Sequence, residues 1–204
     1  EYAKYPREVA NEKIPLRLEI DSFVSFVRDR HATQESWREG PIGWNEPARQ
    51  ETEALIEEWL NTRWSHFEEQ VVNTNYPLIC ESFGNQDTID AASIDQIVEA
   101  LCVLHSFNDR LRFYKGGLDA LKLKFKSSND IAKVKKSLKY LLFGHGDTVQ
   151  RMADCIFDDQ FKLSQFGPAN VQELIGWIND ENLPVINGRT TKVLRYFGFD
   201  VKQL

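Results

Sequence analysis

Apolar residues recur at helical spacing along most of the chain, and this pattern predicts an all-α fold. In the segment from Leu16 to Arg30 they occur three and four positions apart, which places them on one face of a helix. The same spacing predicts a long helix from about Glu46 to Val72. No segment shows the strict alternation of apolar and polar residues that a half-buried strand requires. We therefore expect a compact multi-helix domain.

Capping residues and glycines divide the second half of the chain into shorter helices. Ser93 and Gln96 have the spacing of a capping box, and the helix they begin is expected to continue to Gly116 and Gly117. Further helices are predicted at about 118–125, 130–143, 147–158, 168–179 and 188–197.

Two helical regions are expected, 1–86 and 87–204, which together form one compact unit. Within the first region, residues 31–47 contain two glycines, two prolines and two tryptophans and are predicted to form an ordered loop. Trp37 and Trp44 in this loop are expected to anchor it to the core, with stacking on an extruded base as the alternative.

Charge is distributed unevenly along the chain. The net charge is −6, but the window from Arg110 to Lys139 carries ten basic and two acidic residues, or +8, which leaves −14 for the remainder. Such a local excess favours a partner that carries phosphate or carboxylate groups. The alternative is a solvated helix face, the commoner role of a lysine run. Within the window, Lys133, Lys135 and Lys136 are the candidate phosphate-binding residues.

Several classes of site and location are disfavoured by what the sequence lacks. The three cysteines are widely spaced and the four histidines are dispersed, so we expect no disulfide, no metal site and no cofactor. No apolar run is long enough to span a membrane, and we expect a cytoplasmic protein. The chain begins without Met or a signal sequence, which suggests a trimmed chain or a fragment of a longer protein.

The most informative segment lies near the end of the chain, from Leu163 to Phe199. It begins Leu-Ser-Gln-Phe-Gly-Pro-Ala-Asn-Val, continues through a helical run, and then reads Leu-Pro-Val-Ile-Asn before a second helix that closes at Phe197-Gly198-Phe199. This segment resembles the helix-hairpin-helix of DNA glycosylases. Leu163 matches the leading leucine of that hairpin, and Gly167 matches its second glycine.

The resemblance implies that a C-terminal helix-hairpin-helix lobe grips a DNA strand. It implies that Gly167, Pro168, Ala169 and Asn170, at the start of a helix, hold a phosphate through backbone N–H groups. The later helix begins at Asn187, which is a plausible cap. Its basic residues Arg189 and Lys192 are placed to reach a phosphate, although a plain cap with exposed basic residues explains them equally well.

Three departures from the family pattern affect the turn and the chemistry. Gln165 replaces the first hairpin glycine, which disfavours the usual turn because a residue with a side chain resists positive φ. Ala169 replaces the nucleophilic lysine of the bifunctional enzymes, and Asn187 replaces the catalytic carboxylate. An amide cannot act as a general base, so the usual base excision is not expected.

A wider segment, from Leu138 to Thr190, also resembles non-catalytic domains attached to bacterial modification-dependent restriction and phage-defence proteins. We therefore expect a DNA-binding module that belongs to a larger recognition or defence system. Two alternatives remain open at this stage. One is a divergent glycosylase that acts on a modified base, and the other is a protein-interaction module whose basic face meets an acidic partner.

Overall fold

The all-α class predicted from the sequence is confirmed. The computed structural model describes residues 13–33, 43–62 and 66–202, and these form eleven α-helices without a β-strand. By its internal contacts the chain divides into two compact units, one of Glu1–Thr74 with Ile186–Leu204 and the other of Asn75–Val185. Within the described ranges, no helix is both long enough and apolar enough to cross a membrane.

The first unit is built from helices near both ends of the chain. Phe26, Trp59 and Phe67 form an aromatic cluster, with ring centroids 5.5 Å and 5.2 Å apart. Phe23 stacks on Phe197, which brings the first helix against the last. The elements are α1 (Leu16–Arg30), α2 (Glu46–Asn61), a π-helical segment (His66–Asn75) that reaches the boundary, and α11 (Gly188–Tyr196).

The second unit holds the remaining helices around a separate core. Phe107 and Phe125 meet edge to face at 5.9 Å, and both side chains are fully buried. Gly176 permits a close approach, because a Cβ there would lie 2.5 Å from Val185 Cα. The elements are α3 (Tyr76–Phe83), α4 (Gln86–Ala91), α5 (Ile94–Leu101), α6 (His105–Asn108), a 3₁₀ helix (Asp109–Phe113), α7 (Gly117–Ser128), α8 (Ile131–Phe143), α9 (Thr148–Phe157) and α10 (Pro168–Trp177).

The prediction of one continuous helix from Glu46 to Val72 is wrong. Helix α2 ends at Asn61, and Thr62 takes an extended conformation while its N–H still donates to the Glu58 carbonyl at 2.9 Å. Asn61 and Thr62 both have low helix propensity, which the apolar periodicity does not register. Pro47 does occupy the first turn of α2, as predicted.

The helix that begins at the Ser93 capping box is shorter than predicted. The box itself is confirmed, since Gln96 N–H donates to Ser93 Oγ at 3.3 Å and Ser93 N–H donates to Gln96 Oε1 at 2.8 Å. Helix α5 nevertheless ends at Leu101 instead of continuing to Gly116. The next helix, α6, begins at His105. The N–H groups of His105 and Ser106 both donate to the carboxylate of Glu173. A side chain distant in the sequence therefore binds the N–H groups that begin α6.

Only part of the predicted loop at 31–47 can be compared with the structure. Residues 34–42, including Trp37, lie outside the described residues. The ring of Trp44 stacks on that of Phe199 with centroids 4.9 Å apart, although 41% of the residue stays exposed. Gly43 N–H donates to the Gly198 carbonyl at 2.6 Å, so the end of this loop is fixed against the end of α11.

Candidate nucleic-acid interface

The segment that joins α9 to α10 contains a tight turn at Leu163–Phe166, which we call the hairpin turn. Phe166 N–H donates to the Leu163 carbonyl at 3.3 Å, and the two residues form a single antiparallel bridge. Gln165, the third residue of the turn, has a φ of +64°. Turns of this kind usually place glycine there, because a side chain disfavours positive φ. The turn forms in spite of the missing glycine.

Hydrogen bonds to the Gln165 side chain offset the cost of its backbone conformation. Its Oε1 accepts from Arg110 Nη2 at 2.8 Å and from the Tyr114 hydroxyl at 2.5 Å. Both donors belong to the segment that begins with the 3₁₀ helix and ends at Tyr114. A glycine in this position would be relaxed but would leave that segment unattached. The Gln165 side chain therefore anchors the hairpin turn.

Asn129, between α7 and α8, holds the hairpin turn from a second direction. Its Nδ2 donates to the Ser164 carbonyl at 3.0 Å, and its Oδ1 accepts from the Ser164 N–H at 2.7 Å. Because both hydrogen bonds join the Asn129 side chain to the Ser164 backbone, they fix the distance and the orientation between these two residues. The hairpin turn is thus positioned by both the 3₁₀ helix and the α7–α8 junction.

The start of α10 satisfies most of its own backbone donors. Gly167 N–H donates to Asn170 Oδ1 at 2.9 Å, and Asn170 N–H donates to the Gly167 carbonyl at 2.9 Å. Pro168 has no N–H to offer. The N–H groups of Gln165 and Ala169 have no acceptor among the described residues. Of the four positions predicted to hold a phosphate by their N–H groups, Ala169 is the one that retains this capacity.

The lysines of α8 divide between two faces of the helix. Lys135 donates to the Asp90 carbonyl at 2.7 Å, and Lys139 forms an ion pair with the Asp90 carboxylate at 2.7 Å. Lys136 lies on another face, with its Nζ 4.8 Å from the ring centroid of Phe161 at the entry to the hairpin turn. Lys133, three residues earlier, shares that face. Neither Lys133 nor Lys136 forms an ion pair with any described residue.

Acidic residues that precede the basic window in the sequence pair with three of its lysines. Lys122 binds Glu99 and Lys126 binds Asp95, each at 2.6 Å, in addition to the Lys139–Asp90 pair. The window charge of +8 therefore overstates what a partner meets. The basic residues of the window that form no ion pair with a described residue are Arg110, Lys115, Lys124, Lys133, Lys135 and Lys136.

Asn187 and Arg189 are engaged with α1 in the first unit. Asn187 Oδ1 accepts from the N–H groups of Arg189 and Thr190, so the predicted cap of α11 is present. Its Nδ2 donates to Asp21 Oδ1 at 3.2 Å, and Arg189 Nη2 lies 3.3 Å from Asp21 Oδ2. This pairing leaves Arg189 less suited to a phosphate than predicted. Lys192 is half-buried on the same helix.

Burial raises the pKa of Asp21 above its usual value, against the opposing effects of Arg189 and Asn187. The folded state then holds a proton on Asp21 at pH values where the unfolded chain has released it. A raised folded pKa on a carboxyl group means that its contribution to stability falls as the pH rises from the unfolded pKa to the folded one.

We expect a comparison with the Asp21→Asn variant to reveal how the contribution of Asp21 to stability depends on pH. The difference in unfolding free energy between the variant and the wild type shifts in favour of the variant as the pH is raised from about 4 towards 7. Urea unfolding of both proteins at a series of pH values measures that shift. A difference that stays constant across the series, or moves towards the wild type, contradicts a raised pKa for Asp21.

Cys102 and Cys155 are not activated as nucleophiles, and the described residues form no metal-binding cluster. Desolvation raises the pKa of the Cys102 thiol to about 11 and that of the Cys155 thiol to about 12, so both remain protonated at neutral pH. The three cysteines all lie within the described ranges, and none of them forms a disulfide there. No group of three or more histidine, cysteine, aspartate or glutamate side chains with metal-binding geometry occurs in the described ranges.

Comparison of the chain with protein-family models, with curated proteins and with solved structures gives no match. Asn129 was not predicted to belong to the candidate interface, whereas Phe113 is one of the aromatic residues that lie among the basic residues of the window. Asn129 had a weak signal, since it lies just before the Asp130 cap, whereas nothing in the sequence indicated that Phe113 would be 73% exposed.

Proposed function

We propose that this chain is a DNA-binding module that acts without catalysis of its own. The observation that supports this proposal best is the position of the hairpin turn between Lys136, which lies over Phe161, and Arg110, which binds Gln165. Cations are thus present on two sides of a turn whose Gln165 N–H, like that of Ala169 just after it, has no acceptor among the described residues. Cationic side chains and backbone N–H groups are the groups with which proteins bind the phosphates of a DNA strand.

The wider setting is also part of the proposal. We place the module in the cytoplasm of a bacterial cell, as one component of a larger DNA-recognition or defence system whose other modules supply any enzymatic step. The replacement of the family's catalytic carboxylate by Asn187 and of its lysine by Ala169 supports a binding role. No cofactor is required for it.

A comparison of two double variants on the same helix tests the phosphate-binding surface. We expect Lys133→Gln with Lys136→Gln to weaken binding to a plain duplex, and to reduce the slope of log affinity against log salt by about 0.9 for each phosphate that the protein no longer neutralises. The control is Lys135→Gln with Lys139→Gln, which removes equal charge from the face that binds Asp90. Fluorescence anisotropy with a labelled duplex, from about 50 mM salt upwards, provides the measurement.

Each outcome of this comparison distinguishes between mechanisms. A smaller slope change in the control than in the Lys133/Lys136 variant supports the face beside the hairpin turn. Equal changes in both variants would mean that only the overall charge matters, and would contradict the proposed surface. No binding by the wild type in low salt would reject the DNA proposal and favour a module that binds an acidic protein.

A divergent glycosylase is the second candidate, and one contact favours it. The Asp21 carboxylate accepts a hydrogen bond from the amide of Asn187, so a carboxylate lies next to the position where the resemblance expects one. Against this, Asp21 is only 8% exposed and is paired with Arg189, as a structural carboxylate would be. Base release from modified duplexes by the wild type, abolished in Asp21→Asn, would establish the enzyme.

A further inference from the structure

Phe113 is an exposed aromatic residue on a segment that is fixed to the hairpin turn. It ends the 3₁₀ helix, and 73% of its surface is exposed. Its neighbours Arg110 and Tyr114 both donate to Gln165, so the backbone on each side of Phe113 is tied to the turn. A ring of this size contributes to stability when it is buried, and here it is not. Its fixed position next to a candidate DNA interface suggests a role in binding.

A cation lies over this ring. The guanidinium carbon of Arg112 is 5.0 Å from the ring centroid of Phe113, while Arg112 Nη2 also contacts Asp109 at 3.0 Å. The Asp109 contact restrains Arg112 within its own helical turn and so helps to hold the guanidinium over the ring. One face of Phe113 is therefore covered, and its large exposed fraction shows that the rest of the ring is open to solvent. An aromatic face beside cationic groups is the arrangement on which proteins stack nucleobases next to their phosphates.

The open ring of Phe113 can stack on some nucleic-acid ligands and not on others. A paired base inside a duplex is covered on both faces by its neighbours, so it cannot stack on a protein ring without leaving the helix. An unpaired base has a free face and needs little energy to move. We propose that Phe113 stacks on an unpaired base of a DNA strand held at the hairpin turn, so that the module prefers single-stranded DNA or a duplex with an unpaired nucleotide.

This inference rests on the proposed DNA-binding function, and the experiment separates the two. Anisotropy titrations compare a plain duplex, the same duplex with one bulged nucleotide, and a single strand of equal length. The variants are Phe113→Ala, Phe113→Trp and, as the matched control, Phe157→Ala. Phe157 on α9 is 77% exposed, but its neighbours in the sequence include Asp154, Asp158 and Asp159, which repel phosphate.

We expect Phe113→Ala to weaken binding to the bulged duplex and to the single strand by about 5- to 150-fold, the range found when one stacking ring is removed. Binding to the plain duplex stays unchanged, Phe113→Trp retains the preference, and Phe157→Ala has no effect on any ligand. In the wild-type complex, 2-aminopurine at the bulged position loses fluorescence through stacking. In the complex of Phe113→Ala it does not.

Three results would overturn the inference. If the wild type binds plain and bulged duplexes equally, with a normal salt dependence, the proposed function stands and the stacking site is rejected. If Phe113→Ala weakens all ligands alike, Phe113 is a general contact or a structural residue. If the wild type binds no DNA in low salt, the proposed function fails and the inference fails with it.

Discussion

Replacing Glu173 with alanine is expected to lower the free energy of unfolding of the second unit by about 3–5 kcal/mol. Glu173 lies on α10 and is 1% exposed. Its carboxylate accepts from His105 N–H at 2.9 Å and from Ser106 N–H at 2.7 Å, which are donors at the start of α6. Hydrogen bonds to a charged acceptor are stronger than neutral ones, and their removal leaves two partly buried donors without this acceptor.

Two further variants determine whether the hydrogen bonds cause the destabilisation. Glu173→Gln keeps the size and one acceptor oxygen but turns an amide donor towards the second N–H, so we expect an intermediate decrease of about 1–3 kcal/mol. Gln172→Ala, on the same helix, controls for the change in helix composition and is expected to cost under about 0.5 kcal/mol. Thermal or urea unfolding measures all three. If Glu173→Ala and Gln172→Ala proved equally stable, Glu173 would not be a cap.

The same variant connects stability with the proposed interface. Glu173 and Asn170 both hold the start of α6, since Asn170 Nδ2 donates to Ser106 Oγ at 3.0 Å. The chain continues from α6 directly into the 3₁₀ helix that carries Arg110 and Phe113. We therefore expect faster amide hydrogen exchange over residues 105–114 in Glu173→Ala. In the proposed interface, Glu173 is a positioning residue, because its carboxylate binds the N–H groups of His105 and Ser106.

Local patterns in the sequence predicted those parts of the fold that depend on neighbouring residues. Helix α1 has the predicted bounds, Leu16–Arg30, because its apolar residues recur at regular helical spacing. The predicted caps at Ser93 and Asn187 are also present, since each accepts from a backbone N–H two or three residues away. Contacts within one helical turn are visible in a sequence.

Contacts between distant residues account for what the sequence did not reveal. Helix α5 ends at Leu101 and α6 restarts at His105 with the help of Glu173, which lies 68 residues further along the chain. The hairpin turn forms without its glycine because Arg110, 55 residues earlier, binds the Gln165 side chain. No pattern of propensity contains these pairs, because they exist only after the helices have packed.

The charge of the basic window likewise depends on contacts between distant residues. Counting residues from Arg110 to Lys139 gave a strong basic excess, but Asp90, Asp95 and Glu99 lie outside that window and pair with three of its lysines. The faces of α8 then separate Lys133 and Lys136 from Lys135 and Lys139. The two pairs of lysines could have been separated in advance only if the face of α8 that packs against α4 had been known. The position of α4 beside α8 could not be predicted from the sequence.

Arg151 on α9 is the other residue whose replacement should have a large effect. It is 8% exposed, and its guanidinium donates to the carbonyls of Leu141, Gly144 and Gly146 at 3.1, 2.9 and 2.6 Å and to Thr148 Oγ1 at 2.8 Å. Arg151 thus supplies hydrogen-bond donors to carbonyl groups both at the end of α8 and in the Gly144–Gly146 turn. For Arg151→Met, which keeps most of the volume, we expect a decrease of about 3–5 kcal/mol in unfolding free energy.

The planar fork of the guanidinium, and not its charge alone, explains the size of this effect. Arg151→Lys keeps the charge, but an ammonium cannot reach carbonyls on both sides of the turn, so we expect it to recover less than half of the decrease. Arg112→Met is the matched control: Arg112 is exposed and bound to Asp109, and pairs of that kind contribute at most about 1 kcal/mol. Urea unfolding of the three variants decides between these explanations. If Arg151→Lys recovered the full unfolding free energy, the charge would matter and the planar fork would not. If Arg151→Met and Arg112→Met lowered the unfolding free energy equally, Arg151 would have no special role in joining α8 to α9.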